Sequence, residues 1–323
     1  MKKVGITLGD PAGIGPEITL RALVTKRMGR KGLVIIGSRE VLEKEARRYQ
    51  NKPWFSQSWC SLRDWLDANV IDIGSTGSYE MGRVQKNCGQ AALRALEVGV
   101  ELLRRDELSG LVTAPVSKEA LHLVGFEFPG QTEFLAARLG RKSYAMLAWS
   151  PWFKVVLVTI HLPITRVTQM ITPARVQEKM HLLDEFLRQE MGGSGVRAPR
   201  IAVLALNPHG DEFTLGEEKR IRRAINQARR QGLDVAGPFP ADAIFSNRGR
   251  FDGFVAMYHD QAMIPAKMLS KGKGVNVTLG LGRVRTSPLH GVAFDIAGRG
   301  IASADSMIAA IKLARRLCRD SRS

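Results

Sequence analysis

The chain has 323 residues, 44% of them hydrophobic and 24% charged, with a formal net charge of +17. That length and apolar content suit a globular protein of about two lobes with a sizeable core. No run approaches the roughly 20 apolar residues of a bilayer crossing. The opening Met1-Lys2-Lys3-Val4-Gly5-Ile6-Thr7 reads as a strand entering a turn and lacks signal-peptide features, so a cytoplasmic location is expected. The cationic excess raises nucleic-acid binding, but basic residues are spread along helices, as in Lys219-Arg220-Ile221-Arg222-Arg223. Only 7% of residues are aromatic, which disfavours base-stacking platforms. A solvated basic face is the expectation. Cys60, Cys88 and Cys318 show no CxxC spacing and read as reduced structural thiols.

In chain order, a strand at 4–8 precedes a helix at 16–26, and a strand at 33–36 precedes a helix at 39–49. Residues 50–69, with Trp54, Trp59 and Trp65, fit neither period and read as an irregular or inserted segment. A strand at 70–73, a helix at 85–105, a strand at 108–113 and helices at 117–123 and 132–139 follow. Beyond a strand at 155–160, a helix at 173–191 is marked by Thr172 as its cap, Pro173 in its first turn and Gly192-Gly193 as its stop. Strands at 201–206, 253–258 and 275–279 and helices at 215–231 and 303–318 complete the series. Continuous β-branched runs indicate strands covered on both faces, and their alternation with helices predicts an α/β fold with largely parallel sheets.

Three of the six histidines stand at the ends of predicted strands: His161, His209 and His259, 48 and 50 residues apart. Ligands of α/β sheets bind at the carboxyl ends of strands, where three imidazoles would form a divalent-metal site with open positions. Imidazole suits zinc, cobalt, nickel or iron better than magnesium. Each histidine taken alone is more often a structural residue; it is the three strand-end placements together that favour the ligand reading. Lys267, Asn276 and Arg285 follow His259 and could grip an acidic substrate, or simply belong to a basic surface. The Gly9-Asp10-Pro11-Ala12-Gly13-Ile14-Gly15-Pro16-Glu17 turn is neither a GxGxxG fingerprint nor a Walker loop.

That turn resembles the opening signature of the 4-hydroxythreonine-4-phosphate dehydrogenase family. Thr113-Ala114-Pro115-Val116-Ser117-Lys118, Asn207-Pro208-His209, Gly237-Pro238-Phe239-Pro240-Ala241-Asp242, Met257-Tyr258-His259-Asp260-Gln261 and Arg285-Thr286-Ser287 resemble its further motifs in order, over about residues 4–316. The resemblance implies an isocitrate/isopropylmalate dehydrogenase-like fold of two α/β lobes around a cleft. Residues 1–125 with 280–323 would form one lobe, and 126–279 the other, carrying the metal histidines and dimer contacts. It implies a homodimer with an active site shared between subunits, and metal ligands His161, His209 and His259. Gln131, Thr132, Lys267, Asn276 and Arg285 would bind substrate, with Arg283 an added cation nearby. Lys267 is the implied proton-transfer residue, because a lysine among cations can give up its proton more readily, with Asp242 as a second candidate. NAD, with NADP as the alternative, would take the hydride, and zinc, or cobalt, magnesium or another divalent ion, would serve as metal; no dinucleotide-binding residue is identified.

Two departures stand out: the family's Gly-His-Thr-Glu is Gly130-Gln131-Thr132-Glu133 in this chain, and Arg283 stands in Gly280-Leu281-Gly282-Arg283-Val284-Arg285. The expected reaction is oxidation, with decarboxylation, of 4-hydroxythreonine 4-phosphate. Alternatives are D-erythronate or D-threonate 4-phosphate and a cyclic cis-diol dicarboxylate. A nucleic-acid-binding protein on a dead enzyme fold is the alternative of another class. Ala302-Ser303-Ala304-Asp305-Ser306-Met307 resembles the sugar-acid branch.

Overall fold

The computed structural model describes residues 2–25, 28–55, 59–192, 195 and 197–320. The expected stop residue Gly193 and the side chain of Cys60 lie outside the described residues. By contact density the chain forms two units, Met1–Gly140 with Arg283–Cys318, and Arg141–Gly282 with Arg319–Ser323.

The first unit runs β1 (Lys3–Thr7), α1 (Gly15–Val24), β2 (Leu33–Gly37), α2 (Arg39–Tyr49), α3 (Trp59–Asn69), β3 (Val70–Asp72), α4 (Lys86–Arg104), β4 (Leu108–Thr113), α5 (Lys118–His122) and α6 (Gln131–Arg138). Its strands lie in the order β3-β2-β1-β4, every pairing parallel, with the later strand Val284–Pro288 parallel to β4. All five residues of β2 are buried, the signature of a strand covered on both faces. The unit runs past residue 125 to Gly140, and α6 reaches back into it through Gln131 Nε2, which donates to Ala114 O (3.3 Å), and Arg138, 3.8 Å from Glu97. Residues 59–69, expected to be irregular, are helical, with Leu62 and Leu66 buried four residues apart.

The second unit runs β5 (Ala145–Ser150), β6 (Phe153–Leu157), α7 (Ile164–Met170), α8 (Pro173–Met191), β7 (Arg200–Leu204), α9 (Glu217–Arg230), β8 (Asp234–Phe239), α10 (Ala241–Ile244), β9 (Gly253–Ala256), α11 (His259–Ser270) and β10 (Val275–Leu279). Its order is β10-β5-β6-β9-β7-β8. β10 with β5 and β5 with β6 are antiparallel; the remaining pairings are parallel. The chain then re-enters the first unit as β11 (Val284–Pro288) and α12 (Asp305–Asp320). Strands β5, β8 and β11 and helices α7, α10 and α11 add to the elements foreseen.

Local signals explain several boundaries. Thr172 Oγ1 accepts from Arg175 N (3.3 Å), Pro173 fills the first turn of α8, and Gly192 closes it at φ 117°. Thr172→Ala is expected to cost about 1 kcal/mol, read as a lower urea midpoint at unchanged slope. On α9, Ile221, Ala224, Ile225 and Ala228 are buried, while Lys219, Arg222, Arg223, Arg229 and Arg230 are exposed. That division puts its basic residues on the solvent side. No helix among the described residues is long and apolar enough to cross a membrane. Cys88 is a buried free thiol, and Cys318 is buried.

Candidate active site

Three adjacent parallel strands, β6, β9 and β7, end at the same edge of the second unit, and each is followed by one of the singled-out histidines. Beyond β6 the chain stays zipped to the end of β9. Val158 N donates to Ala256 O (2.8 Å), and Thr159 donates through N (3.2 Å) and Oγ1 (2.7 Å) to Met257 O. This bracing carries the two segments out in step, and the rings of His161 and His259 stand 6.0 Å apart. Gln261 ties in the third strand end, its Oε1 accepting from Met257 N (2.8 Å) and its Nε2 donating to Ala205 O (2.7 Å).

His209 lies past β7 in the left-handed region (φ 55°), its ring against Phe213 at 5.7 Å and its Nδ1 3.8 Å from Glu212 Oε2. The structure thus brings His161 and His259 together and leaves His209 on the neighbouring strand end. Among the described residues no group of three or more His, Cys, Asp or Glu is gathered closely enough to hold a metal ion. The donor chemistry nevertheless fits one. Asp260 Oδ1 lies 2.7 Å from His259 Nδ1, so the network assigns the proton to Nδ1 and the lone pair to Nε2. A carboxylate behind an imidazole is the usual support of a metal-binding histidine.

The loop that carries His209 is held by two acids that sequence reasoning overlooked. Glu218, fully buried, accepts from Leu206 N (3.1 Å), Asn207 N (2.9 Å) and Asn207 Nδ2 (3.0 Å), and Glu217 accepts from Leu215 N (2.9 Å). Burial pushes the Glu218 carboxyl up, but hydrogen bonds from Thr214 and Asn207 outweigh it and hold the group below its ordinary range. Two acids at a helix start, eight residues beyond an Asn-Pro-His turn, were the available signal. Glu218→Gln is expected to weaken zinc binding about 10–100-fold in competition with a chelating dye. Unchanged affinity would show that the loop needs no such anchor.

The other expected residues of this unit are more dispersed. Lys267 is exposed on α11 and Asp242 exposed on α10. Asn276, on β10, has a buried Oδ1 with no hydrogen-bond partner among the described residues. An orphaned buried acceptor beside an otherwise satisfied strand is the kind of group a ligand completes.

In the first unit Arg285 lies on β11, 2% exposed, opposite Leu111 of β4. Its Nη2 donates to Thr113 Oγ1 (2.7 Å) and to Gln131 Oε1 (3.2 Å). Burial pulls its pKa down to about 10, while the charge of Glu133 acts the other way. Thr132 is buried beside Gln131 in the first turn of α6. Arg283 is placed differently from the expectation of a substrate-pocket cation. Its Nη1 donates to Asp106 Oδ1 (2.9 Å), before the start of β4, whereas Arg285 reaches Thr113 at the strand's far end. Two residues along a parallel strand separate them, and a ready carboxylate captures Arg283.

The Gly9–Glu17 turn is buried throughout. A Cβ on Gly9 would lie 2.2 Å from Pro115 O, and one on Gly15 2.2 Å from Leu8 O. The glycines therefore admit the chain's own backbone, and the turn offers no cradle to a dinucleotide. Asp10 Oδ1 accepts from Ala12 N (2.9 Å), while its Oδ2 is buried without a partner among the described residues. Burial raises its pKa to about 6, against hydrogen bonds from Ala12 and Ser117. An acid whose folded pKa is raised favours folding below its unfolded value, 3.8, and loses that contribution as pH rises through about 6. Asp10→Asn should therefore stabilise the protein at pH 8 by up to about 3 kcal/mol, the gain vanishing near pH 4 in urea titrations.

A family model described as "Pyridoxal phosphate biosynthetic protein PdxA" matches residues 30–314. The chain belongs to the PdxA family. The family resemblance read from the motifs is thereby confirmed. This PdxA-family chain is 39% identical to a D-threonate 4-phosphate dehydrogenase of Salmonella typhimurium, over 98% of this chain and 99% of the relative. It is also 39% identical to a 4-hydroxythreonine-4-phosphate dehydrogenase of Methylorubrum populi, over 98% and 94%. A crystal structure of 4-hydroxythreonine-4-phosphate dehydrogenase from Klebsiella pneumoniae matches it with a TM-score of 0.82 at 32% identity, over 98% of this chain and all of that one.

Proposed function

We propose that the protein is a dehydrogenase that oxidises the secondary alcohol of a phosphorylated hydroxy acid with NAD and a divalent metal ion, zinc first. The carrying observation is the placement of His161, His259 and His209 at the ends of three adjacent parallel strands, with the His259 tautomer set by Asp260. These histidines would hold the metal, whose chemistry is to lower the pKa of the substrate hydroxyl. Lys267 is the proposed acceptor of the hydroxyl proton, with Asp242 as the alternative, and Asn276 orients the substrate. Arg285, held by Thr113 and Gln131, takes an anionic group, with Thr132 beside it. NAD, when bound, would supply the two-electron acceptor for the hydride on the same carbon. The resulting 3-oxo acid would then lose its carboxylate as carbon dioxide, the bond's electron pair passing into an enolate that takes up a proton.

The substrate read first is 4-hydroxythreonine 4-phosphate. D-Threonate 4-phosphate is the second reading, because the relatives named for the two substrates are equally similar. The enzyme works as a homodimer in the cytoplasm, where reduced Cys88 and Cys318 are at home. Phe213 (60% exposed) and Leu215 (95%) near His209, and Ile264 and Met268 on the helix of Lys267, supply apolar surface that a second copy would cover.

NADH formation with added zinc, assayed in parallel on 4-hydroxythreonine, D-threonate and D-erythronate 4-phosphates and on a cyclic diol dicarboxylate, tests the proposal. Turnover of a phosphate ester, abolished by chelator and restored by metal, is the expected result. Turnover of the dicarboxylate alone, or full turnover in excess chelator, would overturn it.

A further inference from the structure

The amide of Gln131 is engaged at both ends. Its Nε2 donates to Ala114 O (3.3 Å), just beyond β4, and its Oε1 accepts from Arg285 Nη2 (3.2 Å). The same Nη2 donates to Thr113 Oγ1 (2.7 Å), from a threonine that is fully buried. The amide cannot be turned over, because that would set its NH2 against the guanidinium and its oxygen against Ala114 O. Lys118 and Glu133 flank the same turn. A Cβ on Gly130 would lie 4.0 Å from Lys118 Cε and 3.2 Å from Glu133 Oε2.

We propose that Gln131 is a positioning residue that, with Thr113, fixes the orientation of Arg285 through two neutral acceptors and so sets the enzyme's affinity for the substrate's anionic group. The inference rests on the assignment of Arg285 to that group. A carboxylate at position 131 would pair with Arg285 and cancel its charge, and would leave Ala114 O without its donor. An imidazole, the side chain of the family motif, would become a second cation as pH falls. Only the amide gives the same neutral acceptor at every pH, so wild-type anion binding carries no titration from this position.

The test is Gln131→Glu, with KM and kcat compared to wild type from pH 5 to pH 8 as ratios, so that the substrate's own phosphate titration cancels. At pH 8 the introduced carboxylate should raise KM about thirtyfold or more while kcat changes much less. Paired with the Arg285 guanidinium, the carboxyl stays ionised, so the KM ratio should persist down to pH 5. A KM ratio near one, or a loss confined to kcat, overturns the proposal. Thr113→Val should raise KM about tenfold and Thr113→Ser restore it. This pair carries the test if Gln131→Glu does not fold, and equal KM values for the two would overturn it.

Calorimetric titration with inorganic phosphate separates this proposal from the functional one. If the wild type oxidises no phosphorylated acid, the assigned function fails. The clamp then stands on phosphate binding that Gln131→Glu weakens at both pH 8 and pH 5. Phosphate affinity untouched by the substitution, or absent from the wild type, would overturn it.

Discussion

A His259→Ala protein is expected to lose its bound divalent ion and about a thousandfold or more in turnover, while melting at the temperature of the metal-free wild type. The size follows from the chemistry assigned to the site: an unassisted alcohol is a very weak acid, and a thousandfold corresponds to about 4 kcal/mol of barrier. The unchanged melting point follows from the geometry. His259 is the first residue of α11, its side chain 40% exposed, and the strand ends are braced by Thr159 and Gln261 rather than by the imidazole. Asp260→Asn provides the graded companion. It keeps an acceptor near Nδ1 but removes the charge, and should cost only about 10–100-fold in metal affinity. Metal content would be read by elemental analysis after gel filtration. An alanine variant that retains a full equivalent of zinc would remove His259 from the ligand set.

The second large effect is expected at Gly9. Its φ of +71° already disfavours any L side chain, and an alanine Cβ would lie 2.2 Å from Pro115 O, which itself accepts from Asp10 N (2.9 Å). Relief requires the segments following β1 and β4 to part, breaking that bond. Gly9→Ala should therefore cost about 4 kcal/mol or more. Gly125→Ala separates the two causes: φ is +79°, yet nothing lies within 4 Å of the new Cβ, so only the left-handed strain of about 1–2 kcal/mol remains. Urea midpoints compare the two, and equal losses would show that the Pro115 contact is not what fixes Gly9. Displacement of the Ala114–Pro115 segment should also raise KM, since Ala114 O anchors Gln131.

The elements legible in the sequence were those with one strong period. The buried runs of β2 and β4 and the capped, amphipathic α8 were read nearly to their ends. β5, Ala145–Ser150, was missed because Ala-Met-Leu-Ala-Trp-Ser has little β-branching and is held by its antiparallel partners β6 and β10. β11 was hidden by its function: a strand reading Val-Arg-Thr-Ser-Pro looks like a binding loop until Arg285 is seen fully buried. Pro265 concealed α11. In the candidate site, the histidines were legible because each follows an apolar run. The residues that hold them, Gln261, Glu217 and Glu218, were not, because which backbone groups an acid or amide will satisfy is decided by tertiary approach. Arg283 and Arg285, two residues apart, were expected in one pocket, and no local pattern foretells that Asp106 takes the first.

The chain's return to its first unit has a consequence during synthesis. β4 is complete at Thr113, but β11, which pairs with its open edge, begins at Val284. At ribosomal rates the interval of about 170 residues lasts roughly 10–30 s. Throughout it the growing chain holds an unfinished parallel sheet with one edge unpaired, while the second unit, whose strands β9 and β10 are made last, is itself incomplete. The open edge of β4 is therefore the place where the nascent chain is most exposed to pairing with another strand. A released chain that ends at Gly282 should be cut by protease in its first unit, while the second unit, with its segment Arg141–Gly282 complete, resists.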